Sequence, residues 1–352
     1  MKHSGHEFTT IFGRNLIGEL PNFVHQPYLV VTMEDLWPKF EHLLPNPGGV
    51  YYVHSLDVEE LARDVEKLPR VNCVIGLGGG QAVDVAKFFA WTKRLPLFQV
   101  PTSMTVNAPF GHRAGLRTQG KVRYMGWVVP EAVYVDLDVI QGAPPLLNRS
   151  GVCEIMCYHT AHYDWKLAHD LGKTEAQWPY DERLVQQARE QLDNVMAHLD
   201  DIHAVNEEGI RTLMLANRWG GATFHNAGWN PRHIEGVDHF FFYTLEYLTG
   251  KHFIHGQPVC LGIFIGSALQ GNEADRMLAA IQRVGVDIRP EAMGVTWDDA
   301  AEAMRKLGWY VRHAGLWYSV ADVKPVTEDF IAYVKDRVYS TFGAWEGAAA
   351  AY

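Results

Sequence analysis

The chain has 352 residues, 47% of them hydrophobic, which predicts two well-packed domains rather than a disordered chain. Its formal net charge of −10 argues against a nucleic-acid partner, and its four cysteines, scattered without a C-x-x-C pair, argue against a disulfide framework or a thiolate zinc site. Because no apolar run reaches the roughly 18 residues of a membrane span and the N-terminus lacks the apolar core of a secretory signal, we expect a cytoplasmic protein without a membrane partner.

Short apolar runs alternate with helical patterns through the first part of the chain. Residues 56–68, LDVEELARDVEKL, space their apolar side chains as an amphipathic helix does. The runs that we predict as buried strands are PYLVVTM (27–33), GVYYVH (49–54), VNCVIGL (71–77), LPLFQVPT (95–102) and AVYVDLD (132–138). This alternation predicts an α/β domain whose parallel sheet is covered on both faces.

Long helical patterns dominate the chain from about Ser150 onward. The stretch QGAPPLLNRSG (141–151) comes directly before them and carries the Gly, Pro and Ser signals of a loop. We therefore place the domain boundary there, with an α/β domain over residues 1–148 and a helical domain over residues 149–352.

The stretch GLGGGQAVDVAKFFA (76–90) joins a predicted strand to a helical pattern through Gly78, Gly79 and Gly80. Such a junction presents unpaired N–H groups and the positive end of a helix dipole, and the missing Cβ atoms let a pyrophosphate approach closely. The motif is not G-x-G-x-x-G, and a tight turn that needs positive φ explains the glycines equally well. Asp84 and Lys87, at i and i+3, are by themselves typical of an exposed ion pair on a helix surface.

The pattern GGGxxxDxxK, followed by VPTSMTVNA (100–108), resembles the superfamily of iron- or zinc-dependent alcohol dehydrogenases, glycerol dehydrogenase, glycerol-1-phosphate dehydrogenase and dehydroquinate synthase. The resemblance covers most of the chain and implies a Rossmann-like domain followed by an all-α domain, in a homodimer or larger homo-oligomer. It also implies bound NAD or NADP. The pyrophosphate would lie on Gly78, Gly79, Gly80 and Gln81, and the nicotinamide beside Thr102, Ser103 and Thr105.

Metal sites in this superfamily use one carboxylate and two histidines. The segment EIMCYHTAHYDWKLAH (154–169) resembles the DLxSKYTAxxDWxLAH stretch of glycerol-1-phosphate dehydrogenases, with Glu154 at the position of the Asp ligand. The segments RHIEGVDHFFFY and FIHGQPVCLG place His239 and His255 at the two histidine positions, with Asp238 replacing the usual Glu. Two imidazoles and a carboxylate suit Zn²⁺ or Fe²⁺ with open positions for substrate oxygens.

The same parts serve a dehydrogenase and a dehydroquinate synthase-like cyclase, a carbon–oxygen lyase that uses NAD transiently. The segment VNAPFGHRAG aligns without gaps on the synthase pattern VDSSVGGKTG, but the side chains that carry the cyclase chemistry differ. The synthase Asp is Asn107 and its Lys is Arg113. A further synthase Lys is Cys157, and the second His of the synthase GHxxGH pattern is Tyr243. These differences favour the dehydrogenase.

We therefore predict a metal-dependent NAD(P) oxidoreductase similar to glycerol-1-phosphate dehydrogenase, acting on a small polyol or a phosphorylated sugar alcohol, with the cyclase as the alternative. Arg113, Lys121 and Arg232 are the candidate phosphate ligands, although each is also explained as surface charge. Asn107 can hydrogen-bond a substrate hydroxyl, and Lys121 is a second candidate catalytic residue. His159 is a candidate proton carrier, although packing within a helix is the commoner role of such a histidine.

Overall fold

The computed structural model describes residues 7–119 and 121–347, and the chain forms two compact units. The first unit holds the described residues up to Asn148 together with Val205–Asn226. The second holds Arg149–Ala204 and the described residues from Ala227 onward. Residues 205–226, which the sequence analysis assigned to the helical domain, therefore belong to the first unit.

The first unit is built on a parallel sheet. The eight strands found in the described ranges are β1 Thr10–Gly13, β2 Tyr28–Thr32, β3 Gly49–Tyr52, β4 Cys73–Gly78, β5 Leu97–Pro101, β6 Ala114–Thr118, β7 Lys121–Met125 and β8 Ala132–Asp136. Six of them form one sheet in the order β1-β8-β5-β4-β2-β3, with every neighbouring pair parallel. β6 and β7 form a separate antiparallel hairpin. The five predicted strands are confirmed as β2, β3, β4, β5 and β8.

Alternate residues of each central strand face opposite sides of the sheet. Val74 of β4 belongs to an apolar cluster that also holds Leu61 and Phe89, whereas its neighbour Ile75 packs on the other side with Ile17. Every residue of β2, β4, β5 and β8 is buried, because both faces of the sheet are covered.

Sixteen α-helices occur within residues 7–119 and 121–347. The first six are α1 Leu16–Glu19, α2 Trp37–Phe40, α3 Val58–Val65, α4 Gly80–Lys93, α5 Leu137–Gly142 and α6 Pro145–Ser150. The next five are α7 Cys153–Met156, α8 Tyr158–Asp170, α9 Glu182–Ala197, α10 Leu199–Ala204 and α11 Glu207–Asn226. The last five are α12 Val237–Thr249, α13 Gly256–Gln270, α14 Ala274–Val284, α15 Trp297–Ala314 and α16 Glu328–Phe342.

The second unit is helical, and α13 runs through its centre, almost wholly buried. Two glycines let α13 and α12 approach closely, because a Cβ at Gly262 would lie 2.2 Å from the carbonyl oxygen of Asp238 and one at Gly266 would lie 2.5 Å from Val237 Cγ1. The predicted fold class, a Rossmann-like α/β part with a helical second part, is confirmed. No helix in the described part of the chain is both long and apolar enough to cross a membrane.

Candidate active site

The glycine turn lies at the carboxyl end of β4. Gly78 has φ +155°, and a Cβ there would lie 2.7 Å from Ala82 Cβ, so only glycine fits. A Cβ at Gly80 would lie 2.8 Å from Val106 Cγ2. Gly79 is different, because its backbone has ordinary angles and a Cβ would meet nothing closer than Ser103 Oγ at 3.9 Å.

Helix α4 starts at this turn without a side-chain cap, and its first backbone bond runs from Val83 N to Gly79 O. The preceding N–H groups of the first turn therefore have no partner within the helix, which is the arrangement that receives anions. A bare glycine backbone beside these donors fits the pyrophosphate of a dinucleotide. Gln81, in the first turn, is exposed.

The segment after β5 lies beside the turn because β5 pairs with β4. Gly78 is in register with Pro101, and Thr102 N donates to the Gly78 carbonyl at 3.1 Å. Ser103 Oγ and Thr105 Oγ1 share a hydrogen bond of 3.0 Å. The structure thus brings the predicted pyrophosphate and nicotinamide segments together at one edge of the sheet.

The interpretation of Asp84 and Lys87 as an exposed pair is wrong. The Lys87 side chain is 2% exposed, and its Nζ lies 2.6 Å from Asp84 Oδ1. It also donates to the carbonyls of Ala108 and Arg113 at 3.0 and 2.7 Å. A buried ammonium group therefore ties α4 to the segment that follows Asn107.

The three predicted metal ligands come together in the second unit. Glu154 lies on α7, His239 on the first turn of α12, and His255 directly before α13. His255 Nε2 is 3.1 Å from Glu154 Oε1, and the rings of His239 and His255 have centroids 5.3 Å apart. Glu154 and His239 are buried. One carboxylate and two imidazoles that converge in this way fit a divalent metal ion.

Asp238 fixes the orientation of His239. Its Oδ1 accepts from the backbone N–H of His239 at 2.8 Å and lies 2.5 Å from His239 Nδ1, so Nε2 is the nitrogen left for a metal. Burial opposes charge on this ring, but the hydrogen bond and negative charge of Asp238 outweigh burial and raise the pKa of His239 to about 9. The same negative potential favours a bound cation.

Two cysteines flank the ligands. Cys153 Sγ lies within 4.8 Å of ligand atoms of Glu154 and His255, and Cys157 Sγ donates to the Ile234 carbonyl at 2.9 Å. Burial is the main cause that raises the pKa of both thiols well above the usual range. Both cysteines therefore lie beside the predicted ligands, and the Cys157 thiol is engaged by a backbone carbonyl.

Sequence reasoning missed Glu235, which precedes α12. Its Oε2 accepts a hydrogen bond from the Tyr243 hydroxyl at 3.3 Å, and its carbonyl accepts from Trp317 Nε1 at 3.2 Å. Burial raises the pKa of Glu235. The charge of His239 lowers this pKa, and the charge of Glu154 raises it. The group therefore lies within electrostatic reach of the predicted ligands. Its position before the helix left no periodic signal in the sequence.

Two other predicted residues have different surroundings from those expected. Arg232 is fully buried, and its guanidinium donates to the carbonyls of Tyr318 and Asp164 at 2.7 and 3.2 Å, so it is occupied by the protein rather than presented to a phosphate. His159 Nε2 lies 2.9 Å from the Asn272 carbonyl, so this ring nitrogen is engaged by the protein.

The remaining candidates lie in the first unit. Asn107 is half-buried and precedes the short 3₁₀ helix Ala108–Phe110. Arg113 is also half-buried. Lys121 begins β7, but its side chain lies outside the described part of the structure.

Comparison with known proteins identifies the family of this chain. The model described as iron-containing alcohol dehydrogenase matches residues 49–144. The chain is 31% identical over 283 residues to a glycerol-1-phosphate dehydrogenase (NAD(P)+) of Thermofilum pendens, covering 79% of each chain. It is 30% identical over 264 residues to that of Thermococcus kodakarensis, covering 73% of this chain and 74% of the relative.

The chain belongs to the iron-containing alcohol dehydrogenase family. It is therefore an oxidoreductase, and the nicotinamide cofactor and metal expected from the sequence are those of its family. The relatives support the dehydrogenase interpretation and not the cyclase.

Solved structures agree with the fold. A probable glycerol dehydrogenase from Sinorhizobium meliloti 1021 matches with a TM-score of 0.70 at 19% identity, covering 95% of this chain and 96% of that chain. A sulfoacetaldehyde reductase from Bifidobacterium kashiwanohense matches with a TM-score of 0.69 at 17% identity, covering 97% and 100%. At such identities the likeness supports the architecture alone.

Proposed function

We propose that this enzyme interconverts a small polyol phosphate and its ketone with NAD(P), and that glycerol 1-phosphate is the first substrate to test. The observation that carries the proposal is the convergence of Glu154, His239 and His255 in a chain related to glycerol-1-phosphate dehydrogenases. A neutral polyol is the second candidate, because the buried Arg232 leaves the expected phosphate site with fewer cations.

The chain's own residues hold the cofactor at the turn between β4 and α4. Gly78–Gly80 would hold the pyrophosphate, and the segment Thr102–Thr105, in which Ser103 and Thr105 hydrogen-bond each other, would lie beside the nicotinamide. Bound there, NAD(P) would supply the hydride acceptor for the carbinol carbon, and its reduced form the hydride donor for the ketone.

Zn²⁺ or Fe²⁺ held by Glu154, His239 and His255 would act as a Lewis acid toward the substrate oxygens. Asn107 hydrogen-bonds a substrate hydroxyl, and Arg113 with Lys121 binds the phosphate. Glu235 takes the place of His159 as the candidate that accepts the hydroxyl proton, because it lies within electrostatic reach of His239 and Glu154 and, unlike Asp238, is not hydrogen-bonded to His239.

The test is an assay of reduced-nicotinamide absorbance on enzyme loaded with Zn²⁺ or Fe²⁺, with NAD or NADP and with glycerol 1-phosphate or glycerol. We expect sustained reduction with one of the two substrates. His255→Ala should lose both metal and activity, whereas Glu235→Gln should keep the metal and lose roughly 10²-fold or more in kcat. Full metal loading without net reduction, but with phosphate release, would favour the cyclase instead.

Location and assembly are proposed on the resemblance alone. A cytoplasmic homodimer or larger homo-oligomer is the expected form, and light scattering on the purified protein gives its mass directly.

A further inference from the structure

A buried threonine of helix α8 contacts α12, the helix that carries the predicted ligand His239. Thr160 Oγ1 donates to Asp238 Oδ2 at 2.5 Å, and both side chains are fully buried. Asp238 Oδ1 in turn accepts from the N–H and the imidazole of His239. The two oxygens of this carboxylate therefore have different partners: Oδ2 bonds Thr160 of α8, and Oδ1 bonds the predicted ligand His239.

The Thr160 hydroxyl and the backbone N–H of His239 together fix the orientation of the Asp238 carboxylate, one at each oxygen. Without the Thr160 donor, Asp238 Oδ2 would be a buried charged oxygen with one fewer hydrogen bond, which is costly in free energy. The carboxylate would then rotate toward another donor, and this rotation weakens its bond to His239 Nδ1. The His239 ring would lose the hydrogen bond that fixes its orientation beside His255.

The backbone of the same turn is held by α8 independently. Asp164, one turn beyond Thr160, accepts from the backbone N–H of Val237 at 2.8 Å. A Cβ at Gly236 would lie 2.9 Å from Asp164 Oδ2, so the two elements are in close contact. Loss of the Thr160 hydroxyl should therefore disturb the Asp238 side chain without displacing the start of α12.

We propose that Thr160 is a positioning residue of the metal centre, acting on His239 through Asp238. The proposal rests on the proposed function only in that the metal site must exist, and it makes no claim about substrate. Residues that orient a metal-binding histidine in this way typically contribute 10–100-fold in metal affinity.

The test compares the zinc affinity of apo-enzyme variants by competition with a chromophoric chelator. Thr160→Val keeps the shape and removes the donor, and it should raise the Kd for zinc roughly 10–100-fold. Thr160→Ser restores the hydroxyl and should bind within a few-fold of the unmodified enzyme. Thr244→Val is the matched control, because Thr244 is equally buried on α12 but its hydroxyl bonds only the Phe240 carbonyl of its own helix.

Urea unfolding of the apo forms separates positioning from general stability. Thr160→Val should lose more stability than Thr244→Val, because it leaves a buried carboxylate oxygen one donor short, whereas Thr244 bonds a helix carbonyl. Only Thr160→Val should lose zinc affinity. Should Thr160→Val not fold, Thr160→Ala takes its place in the comparison.

Equal zinc affinity of Thr160→Val and the unmodified enzyme would overturn the proposal while leaving the proposed function intact. Equal losses of affinity in Thr160→Val and Thr244→Val would also overturn it. Failure of the unmodified enzyme to bind zinc or iron at all would overturn both the positioning role and the metal site.

Discussion

Three consecutive glycines look equivalent in a sequence, yet each has a different reason to be glycine. Gly78 needs positive φ, and Gly80 packs against Val106. Gly79 has neither constraint, so the fold would accept a side chain there. Gly79 is also the N-cap of α4, where glycine is common, and the proposed function gives it a second role as bare backbone beside the cofactor pyrophosphate.

We therefore predict that Gly79→Ala separates cofactor binding from stability. The added methyl group meets no protein atom within 3.4 Å, so the free energy of unfolding should change by less than about 0.5 kcal/mol. Under the proposed function the methyl group would stand where the pyrophosphate approaches, so the Kd for NADH or NADPH should rise by about tenfold or more, equivalent to about 1.4 kcal/mol. Fluorescence titration of the reduced cofactor and urea unfolding measure the two quantities.

Gly142→Ala is the control for this prediction. Gly142 ends α5 in the same unit, and a Cβ there would have no neighbour within 4 Å. Its cofactor affinity should equal that of the unmodified enzyme. If Gly79→Ala also binds the cofactor normally, the pyrophosphate does not lie on this turn.

Site residues inside a local motif were predictable from the sequence, and those set by packing were not. Glu154, His239 and His255 each stand in a recognisable segment. The contact between Thr160 and Asp238 joins residues 78 positions apart, and it depends on how α8 packs against α12. Such a contact cannot be predicted from the spacing of residues along the chain.

At the scale of elements, burial decided which strands were predictable. The five predicted strands are apolar runs that the sheet buries wholly or in part. β1, TIFG, is a four-residue edge strand without a fully buried residue, and the β6–β7 hairpin includes Arg117 and Arg123, so neither resembles a core strand. α11 belongs to the first unit because Gly221 packs against the Phe110 carbonyl, where a Cβ would lie at 2.4 Å.

Helix α8 also contains a buried histidine that should make the second unit sensitive to acid. His162 and His233 are buried, and burial lowers the pKa of each to about 3. Both are thus neutral in the folded state but become charged near pH 6.5 in the unfolded state. Their effect on stability is absent above pH 6.5, and stability falls as the pH drops from 6.5 toward 3.

We predict that His162→Gln flattens this dependence. Removing one such histidine should reduce the stability lost between pH 7.5 and pH 5 by about 2 kcal/mol. The prediction concerns the difference in stability between His162→Gln and the unmodified enzyme. Burial raises the pKa of Asp164 to about 7, so this group stabilises the folded state as the pH falls and opposes the effect of His162 in both proteins. Urea midpoints of the apo-enzyme across this range provide the measurement.

The exposed His42→Gln is the control, and it should follow the unmodified enzyme at every pH. Parallel curves for His162→Gln and the unmodified enzyme would show that His162 is not held neutral in the folded state.

At the scale of the whole molecule, the two predicted binding functions lie in different compact units. The glycine turn, the 102–105 segment and Asn107 belong to the first unit, whereas Glu154, His239 and His255 belong to the second. Within the second unit, the ligands come from α7, from the start of α12 and from the residue before α13. A metal ion would therefore cross-link three elements that are separate along the chain.

Hydrogen exchange should reveal this cross-link directly. A ligand that binds only the folded site stabilises it by RT ln(1 + [L]/Kd), which is about 2.7 kcal/mol at 100 times Kd. Zinc should therefore slow amide exchange in α7, in the first turn of α12 and at the start of α13, because each of them must open for the ligands to separate. The reduced cofactor should slow exchange at the β4–α4 junction and around residues 102–105.

Glu154→Ala should abolish the zinc-dependent protection and keep the protection by the cofactor, since Glu154 has no part in the glycine turn. Zinc-dependent protection that persists in Glu154→Ala would place the metal elsewhere.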